Sequence, residues 1–468
     1  MNVLIVESPS KAKSINKYLG NNYKVLASVG HVRDLTAKND AIDTENNFQM
    51  KWETSDRGKK VIKDIANAAQ NSENLYLATD PDREGEAIAW HIEELLREMP
   101  KLANLNIHRI TFNEITKNAV LEALKEPRKV NENLVNAYLA RRALDFLVGF
   151  NLSPVLWRKL PGSKSAGRVQ SVALKIITER EFEIEKFNPE EYWSLKAIFN
   201  KGQEKEFESR LIKFKDEKID KLTIKTESEA SNFLEKIQNS TYKVKEIQKK
   251  ETKRNPYAAF TTSSMQIEAS RKLGFSANQT MRTAQKLYEG IEINGEPTGL
   301  ITYMRTDSVL MSKDAIEEIR GFVSEKLGNE YIPTEPRIYK SKAKNAQEAH
   351  ECIRPTNIRL SPEELIKYLN SDEFKLYEII WQRAVSSQMA SAIIDQVSVD
   401  ITNEQDIIVF RSNGSSIKFP GMLAVYQETK EEDKKEDEDD KSHVLPPLDQ
   451  GDALNLIKAE KNQHFTNY

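Results

Sequence analysis

The stretch NLYLATDPDREGEAIAWHIEELLREM (Asn74–Met99) decides the fold of the N-terminal part of this chain. It starts with a short apolar run, which predicts a strand buried on both faces, as in a parallel α/β sheet. Its second half has the apolar spacing of a long helix. Between the two, on every second position, lie four carboxylates: Asp80, Asp82, Glu84 and Glu86. Because like charges this close repel each other, the cluster predicts either a bound cation or an ordinary solvated turn.

A second strand of the same kind lies near the start of the chain, at NVLIVES (Asn2–Ser8). The segment after it, SKAKSINKYLG, reads as a helix that ends at Gly20. A further helix is predicted from the apolar spacing of GKKVIKDIANAAQ. Strands and helices in this order predict a doubly wound α/β domain over residues 1–130.

The remaining chain alternates between helical and strand-like parts. Residues 131–189 have helical spacing, with a basic, Gly/Ser-rich connection (KLPGSKSAGRVQS) inside them. Strand patterns return in residues 190–262 and 391–468, and residues 263–390 between them are helical. This order predicts one β-rich domain into which a helical domain is inserted.

Composition narrows the class of protein. A length of 468 residues with 30% charged residues is typical of a globular protein of several domains. The single cysteine, Cys352, excludes internal disulfides and cysteine-based zinc sites. No apolar stretch is long enough to cross a bilayer. The strand-like start predicts that there is no signal peptide, so we expect a cytoplasmic protein.

The net charge of −3 would by itself argue against binding to nucleic acid. Residues 428–441 hold nine acids and four lysines, so the rest of the chain carries about +2. We expect this mixed-charge run to be a solvated loop.

The strand ends suggest what the carboxylates do. Ligands of open α/β sheets bind beyond the carboxyl ends of the strands. Glu7 ends the first strand and Asp80 follows the later one, so they would converge if the two strands are neighbours. Clustered carboxylates form an oxygen-only site that suits Mg²⁺. In the alternative, a solvated acidic turn, Glu86 lies in the first helical turn, where the helix dipole favours it.

The segment GLITYMRTDSVLMS (Gly299–Ser312) carries a candidate nucleophile. A lone tyrosine is far more often a core residue, but on an extended segment Tyr303 and Arg305 lie on the same side. A guanidinium there can bind a phosphate in bidentate fashion, and a tyrosyl oxygen that attacks a phosphodiester forms a covalent ester. Resealing from that ester would need no ATP, and the sequence has no G-x-x-x-x-G-K-[ST] loop.

The segments around these residues resemble known families. VLIVE and TDPDREGEAIA resemble the TOPRIM module, which topoisomerases share with primases and some nucleases. LITYMRTDS, together with ARRALDFLVGF, SAGRVQSVAL and QEAHECIRPT in the same order, resembles type IA DNA topoisomerases, and within them bacterial topoisomerase I. The resemblance implies a multidomain α/β plus α and β fold, in which a Rossmann-like TOPRIM domain is part of a toroid. Residues 131–189 would then be part of a helical DNA-gate domain, and residues 263–390 would be the inserted helical domain that carries the tyrosine.

The same resemblance implies an activity. That activity is ATP-independent relaxation of negatively supercoiled DNA through single-strand cleavage, a 5′-phosphotyrosyl intermediate, strand passage and religation. A decatenase similar to topoisomerase III, or a TOPRIM nuclease or primase without a tyrosyl intermediate, remains the alternative. We expect a monomer with Mg²⁺ as cofactor, a single-stranded segment of underwound DNA as partner, and a cytoplasmic, nucleoid-associated location. Because the family usually continues beyond this point, we also expect a C-terminally truncated chain whose relaxation activity is in doubt.

Residue roles follow from the matching motifs. The implied catalytic residues are Tyr303, Arg305, Lys11, Glu7 and His350. The implied Mg²⁺ ligands are Glu7, Asp80, Asp82 and Glu84. The implied DNA-binding residues are His31, Arg109, Arg142, Asp145, Arg168, Gln170 and Arg354. Among them, Lys11 would assist the departing 3′ oxygen and Arg305 would stabilise charge on the phosphate.

Overall fold

The computed structural model describes residues 1–38, 40–340, 351–427 and 444–467. They group into two compact units. The first contains residues 1–174 and 257–389 with a short stretch that begins at Val425, and the second contains residues 175–256, 390–424 and the C-terminal strand. The finer division into four domains stays a prediction. His350 and the acidic run of residues 428–441 lie outside the described residues.

The N-terminal part of the first unit is built on a four-stranded parallel sheet with the order β2-β1-β7-β8. Its strands, including two small pairs outside that sheet, are β1 (Asn2–Val6), β2 (Tyr23–Ala27), β3 (Arg33–Leu35), β4 (Ile42–Asp43), β5 (Gln49–Met50), β6 (Trp52–Thr54), β7 (Asn74–Leu77) and β8 (Asn106–Arg109). Its helices are α1 (Pro9–Leu19), α2 (Asp56–Ala69), α3 (Arg83–Arg97) and α4 (Lys117–Ala123). The doubly wound α/β fold predicted from the sequence is therefore present.

Strands β1 and β7 are direct neighbours, with Ile5 opposite Leu77. The chain leaves β1 toward β2 and later returns to β7 on the other side of β1, so the strand order reverses between these two strands. Their carboxyl ends are thus the switch point at which ligands of this fold class bind. Glu7 and Asp80 both lie there, as the sequence predicted.

Helix α3 begins inside the acidic stretch. Asp82 is its N-cap, and the Asp82 carboxylate accepts a hydrogen bond from the Gly85 amide at 2.8 Å. A Cβ at Gly85 would lie 2.1 Å from the Asp80 carbonyl oxygen. Only glycine fits where the loop and the first helical turn approach this closely.

Alternate residues of β1 face two different cores. Val3 and Ile5 pack with α2 and α3, whereas Leu4 and Val6 pack with residues from the later helices of the same unit, including Leu300. The strand is apolar throughout because both of its faces are buried. The two parts of the first unit therefore share a continuous core.

Two long helices follow, α5 (Glu132–Lys159) and α6 (Arg168–Lys186). They account for the helical spacing of residues 131–189. Helix α5 contains Pro154 and buries only Val135, Ala143 and Ser153.

The chain then enters the second unit and returns to the first. The elements of this stretch are β9 (Glu191–Asn200), β10 (Phe207–Phe214), β11 (Glu217–Lys218), α7 (Glu227–Gln238) and β12 (Tyr242–Arg254), followed in the first unit by α8 (Thr262–Leu273), α9 (Ala277–Glu289), β13 (Ile291–Ile293), β14 (Glu296–Thr298), α10 (Lys313–Lys326), α11 (Pro362–Leu365) and α12 (Ser371–Ser387). Three further strands belong to the second unit: β15 (Ala392–Asn403), β16 (Ile408–Phe419) and β17 (Ala453–Phe465).

The strands before and after the helical insertion form one antiparallel sheet, in the order β11-β10-β16-β15-β12-β17-β9. Strand β9 also pairs with β10, so the sheet closes on itself. Closure leaves the inner faces of these strands to form a core around Phe199, Tyr242 and Phe410. Across the described ranges, no helix has the length and apolar character needed to cross a membrane.

Candidate active site

The carboxylates at the switch point lie in close contact with cationic side chains. Lys11, on α1, donates from Nζ to Asp80 Oδ1 at 2.5 Å, and both side chains are buried. Glu7 accepts a hydrogen bond from the Asp80 amide at 2.9 Å. Burial and the nearby charge of Asp80 raise the pKa of Glu7 to about 8. Burial and the neighbouring carboxylate therefore both disfavour the charged form of Glu7.

Tyr303 lies directly against this acidic site. Its hydroxyl donates to Asp82 Oδ2 at 2.6 Å, and its backbone amide donates to the Asn113 carbonyl at 2.8 Å. The residue is only 2% exposed. Burial and the charges of Asp80 and Asp82 raise the pKa of Tyr303 well above the usual range, so the phenol is protonated at neutral pH. The structure therefore brings together two segments that are 221 residues apart in the chain.

Arg305 and Tyr303 both reach Asp82 from the same segment of chain, and Arg305 lies at the surface of the site. Its Nη1 is 3.1 Å from Glu84 Oε2 and 3.5 Å from Asp82 Oδ2, and its side chain is half exposed. His31 is 3.7 Å from the other oxygen of Glu84. Contact with His31 and the charge of Arg305 lower the pKa of Glu84 to about 2. Arg305 is thus a partly free guanidinium beside the tyrosine, where a phosphate could replace the carboxylates.

A cleft of about 600 Å³ opens from this point along α5. Three of the predicted DNA-binding residues line it: His31, Arg142 and Asp145. Arg142 binds Asp34 with two guanidinium nitrogens. Arg168 contacts Asp145 at 2.7 Å but does not itself line the cleft. An arginine held in this way at a cleft wall, as Arg142 is, can exchange its carboxylate partner for a phosphate. Gln170, on α6, is exposed but does not line the cleft.

Arg109 does not occupy the DNA-facing position that the resemblance implied. Its side chain is completely buried, and it donates to Glu86 at 3.0 Å and to the carbonyls of Leu77, Thr79 and Asp80 at 2.7–3.0 Å. In this structure it holds the loop that carries the carboxylates, and its contact with DNA stays a prediction. It holds the loop because it lies at the end of β8, next to the carbonyls at the end of β7.

Arg354 is likewise enclosed. It is 6% exposed and pairs with Glu351 at 2.6 Å and with Glu114 at 3.0 Å. Its contact with DNA stays a prediction. His350, the neighbouring candidate, lies outside the described residues.

Three further side chains, Glu86, Tyr138 and Tyr288, contact the site in ways that the sequence did not predict. Glu86 is in the first turn of α3, as expected, but it is also a buried partner of both Arg109 and Arg128. Tyr138 stacks on His31 with ring centroids 5.3 Å apart. Tyr288 is fully buried and contacts Asp80. A polar tip at an apolar helix position is the signal that could have identified these tyrosines, because a buried hydroxyl needs a partner.

The donor set suits Mg²⁺ in kind, since it consists of carboxylate oxygens. In the described part of the chain, however, no three such side chains form a ready-made metal cluster. Mg²⁺ often binds through one or two carboxylates together with water and a substrate phosphate. The residues fit that mode of binding.

Sequence comparison agrees with this geometry. Residues 2–115 match the Toprim domain, and residues 129–468 match the DNA topoisomerase family. The chain belongs to the type IA DNA topoisomerase family. The acidic switch point lies in the part that matches the Toprim domain, and the Tyr303 segment lies in the part that matches the DNA topoisomerase family. The two parts meet at one site.

The similarity extends over the full described fold. The chain is 50% identical to DNA topoisomerase 1 of Rickettsia bellii over 467 residues, which are 100% of this chain and 58% of that protein. It is 48% identical to DNA topoisomerase 1 of Xylella fastidiosa, across 99% of this chain and 57% of that protein. The structure of full-length topoisomerase I from Thermotoga maritima superimposes with a TM-score of 0.81 at 36% identity, across 99% of this chain and 72% of that one. The chain thus spans somewhat more than half the length of these curated relatives.

Proposed function

We propose that this chain cuts one strand of DNA with Tyr303, holds the cut end as a 5′-phosphotyrosyl ester and reseals it without ATP. In negatively supercoiled DNA in the cytoplasm, where short single-stranded segments open readily, this cycle would relax the supercoils. One observation carries the proposal: the Tyr303 hydroxyl lies 2.6 Å from Asp82 inside the acidic site. Relatives called DNA topoisomerase 1 support it.

In the proposed cleavage step, one bond to phosphorus forms as another breaks. The phenolic oxygen of Tyr303 forms a bond to phosphorus, and the bond between phosphorus and the 3′ oxygen breaks. The phenol proton leaves along the hydrogen bond to Asp82, and Lys11 supplies a proton to the departing 3′ oxygen. Religation is the reverse, in which the 3′ hydroxyl attacks the phosphotyrosine. The ester conserves the energy of the broken bond, so no nucleotide is consumed.

The free protein holds these groups in a closed arrangement. Tyr303 is almost inaccessible, and Arg305 is paired with Glu84. A phosphodiester reaches the hydroxyl only when the surrounding residues move and Arg305 exchanges Glu84 for the phosphate. Arg305 then offsets the negative charge that builds up on phosphorus.

One or two of the four predicted ligands, Glu7, Asp80, Asp82 and Glu84, would hold Mg²⁺ together with water and the DNA phosphate. When bound, the ion would supply positive charge beside the DNA phosphate. The carboxylates also have a role that does not depend on metal, because they orient Tyr303, Arg305 and Lys11 by direct contact.

A covalent-adduct assay tests the proposal. A single-stranded oligonucleotide labelled on its 3′ side is incubated with the chain, and the mixture is denatured and separated on a gel. We expect labelled protein with the parent chain and none with Tyr303→Phe. Tyr377→Phe is the matched control, because Tyr377 is also buried but donates to the Leu360 carbonyl, away from the site.

The outcomes separate the alternatives. Cleaved oligonucleotide without a protein-bound label would favour a nuclease, and synthesis of a primer on the oligonucleotide after nucleoside triphosphates are added would favour a primase. Adduct formation should be followed by relaxation of negatively supercoiled plasmid in the presence of Mg²⁺ and absence of ATP. Unlinking of catenated circles without relaxation would favour a decatenase.

A further inference from the structure

Tyr288, on α9, contacts three groups of the candidate active site at once. Its side chain is completely buried. Its hydroxyl is 3.3 Å from Asp80 Oδ1, and its ring lies 5.0 Å from Lys11 Nζ and 5.2 Å from the ring of Tyr303. None of the motifs in the sequence includes it.

The hydroxyl of Tyr288 and the ammonium of Lys11 share one acceptor. Both donate to Oδ1 of Asp80. A carboxylate oxygen that accepts two hydrogen bonds is held in one orientation, and it holds its donors in turn. The aromatic face of Tyr288 adds a cation–π contact to the same ammonium. Lys11 is therefore fixed by Asp80 on one side and by the Tyr288 ring on the other.

The ring of Tyr288 also supports the nucleophile. It meets the ring of Tyr303 at an interplanar angle of 65°, in an edge-to-face arrangement. Edge-to-face pairs favour a defined ring orientation. Since the Tyr303 hydroxyl must point at Asp82, the ring of Tyr288 limits how far Tyr303 can turn away from that direction.

We propose that Tyr288 is a positioning residue for DNA cleavage, which keeps the Lys11 ammonium and the Tyr303 ring in the arrangement that the reaction needs. The inference rests on the proposed function, since it gives Lys11 and Tyr303 their roles as proton donor and nucleophile. The hydroxyl of Tyr288 acts mainly through Lys11, and its ring acts on both groups.

The first test is the rate of adduct formation in a single turnover. Tyr288→Phe keeps the ring and removes only the hydroxyl, so the fold should survive. We expect the rate at saturating oligonucleotide to fall about 10-fold, as for the loss of one hydrogen bond to a charged acceptor. The oligonucleotide concentration that gives half the maximal rate should stay unchanged. Tyr377→Phe removes a buried hydroxyl from the same unit and should leave both values at the parent level.

The second test separates positioning of Lys11 from a general loosening of the fold. An oligonucleotide with sulfur in place of the 3′ bridging oxygen at the cleavage position has a leaving group that departs as a thiolate and needs no proton. On this substrate we expect Tyr288→Phe to come within about 2-fold of the parent chain, because the proton donor no longer limits the rate. Tyr288→Leu, which removes the ring as well, should stay slow on both substrates.

Each result decides one point. If the parent chain forms no adduct, the proposed function fails and the inference fails with it. If the parent chain forms the adduct and Tyr288→Phe matches it on the oxygen substrate, the inference alone is overturned. An equal defect of Tyr288→Phe on the oxygen and sulfur substrates would overturn the claim that its hydroxyl acts through Lys11.

Discussion

Replacement of Arg109 by alanine should destabilise the first unit without directly removing a DNA contact. The guanidinium is completely buried and donates to Glu86 and to the carbonyls of Leu77, Thr79 and Asp80. Its loss would leave these carbonyls without that donor and Glu86 with Arg128 as its remaining ion-pair partner.

The size of the effect follows from these contacts. Breaking a buried ion pair costs about 3–5 kcal/mol, and each buried acceptor left without its donor costs about 1–3 kcal/mol. Because Arg128 still compensates part of the charge of Glu86 and the two costs overlap, we expect a total of about 3–5 kcal/mol. Arg109→Lys keeps the charge but not the planar fork of donors, so it should recover only part of this loss.

Urea unfolding followed by tryptophan fluorescence measures the effect, since Trp52 and Trp90 both lie in the first unit. Arg141→Ala is the matched control: its side chain is 55% exposed and 3.8 Å from Asp145. It should change the free energy of unfolding by less than about 0.5 kcal/mol. A weaker affinity of Arg109→Ala for oligonucleotide, with unfolding at the parent urea concentration, would refute this reasoning and restore the role in DNA binding.

Two further predictions concern the acidic loop and the pH dependence of stability. Gly85→Ala should sharply reduce adduct formation, because its Cβ would lie 2.1 Å from the Asp80 carbonyl and displace the carboxylates; an unchanged adduct yield would contradict this. Burial and the charge of Arg33 lower the pKa of His91 to about 2, whereas its unfolded value is about 6.5. Between these two pKa values the unfolded chain binds a proton at His91 and the folded chain does not. The stability that neutral His91 allows is therefore fully present above pH 6.5, and the free energy of unfolding declines as the pH falls toward 2, by about 2 kcal/mol between pH 7 and pH 5. In His91→Asn the drop in unfolding free energy between these pH values should be smaller by about that amount, and an equal drop would count against the assignment.

The features of the fold that depend on local pattern could be predicted from the sequence. The apolar runs at Asn2–Val6 and Asn74–Leu77 are strands, and their adjacency brings Glu7 to Asp80 because parallel strands end at the same edge. The insertion of helices between two strand-rich segments was visible in the alternation of patterns.

The contacts within the site could not be predicted from the sequence pattern alone. Nothing in the spacing of Tyr303 indicates that it meets Asp82, and only the resemblance to a family did so. The burial of Arg109 could not be predicted, since an arginine at the end of a strand is exposed unless carbonyls from distant parts of the chain enclose it. Tyr288 was missed for a related reason: on an amphipathic helix it has the same spacing as a core residue.

The covalent attachment of DNA to one residue is the central claim, and peptide mapping tests it most directly. The chain is trapped on a single-stranded oligonucleotide, digested with trypsin and nuclease, and analysed by mass spectrometry. We predict a nucleotide 5′-phosphate on the peptide that contains Tyr303, and no modified peptide from Tyr303→Phe. A nucleotide on any other residue, or cleaved DNA with no nucleotide on the protein, would contradict the account.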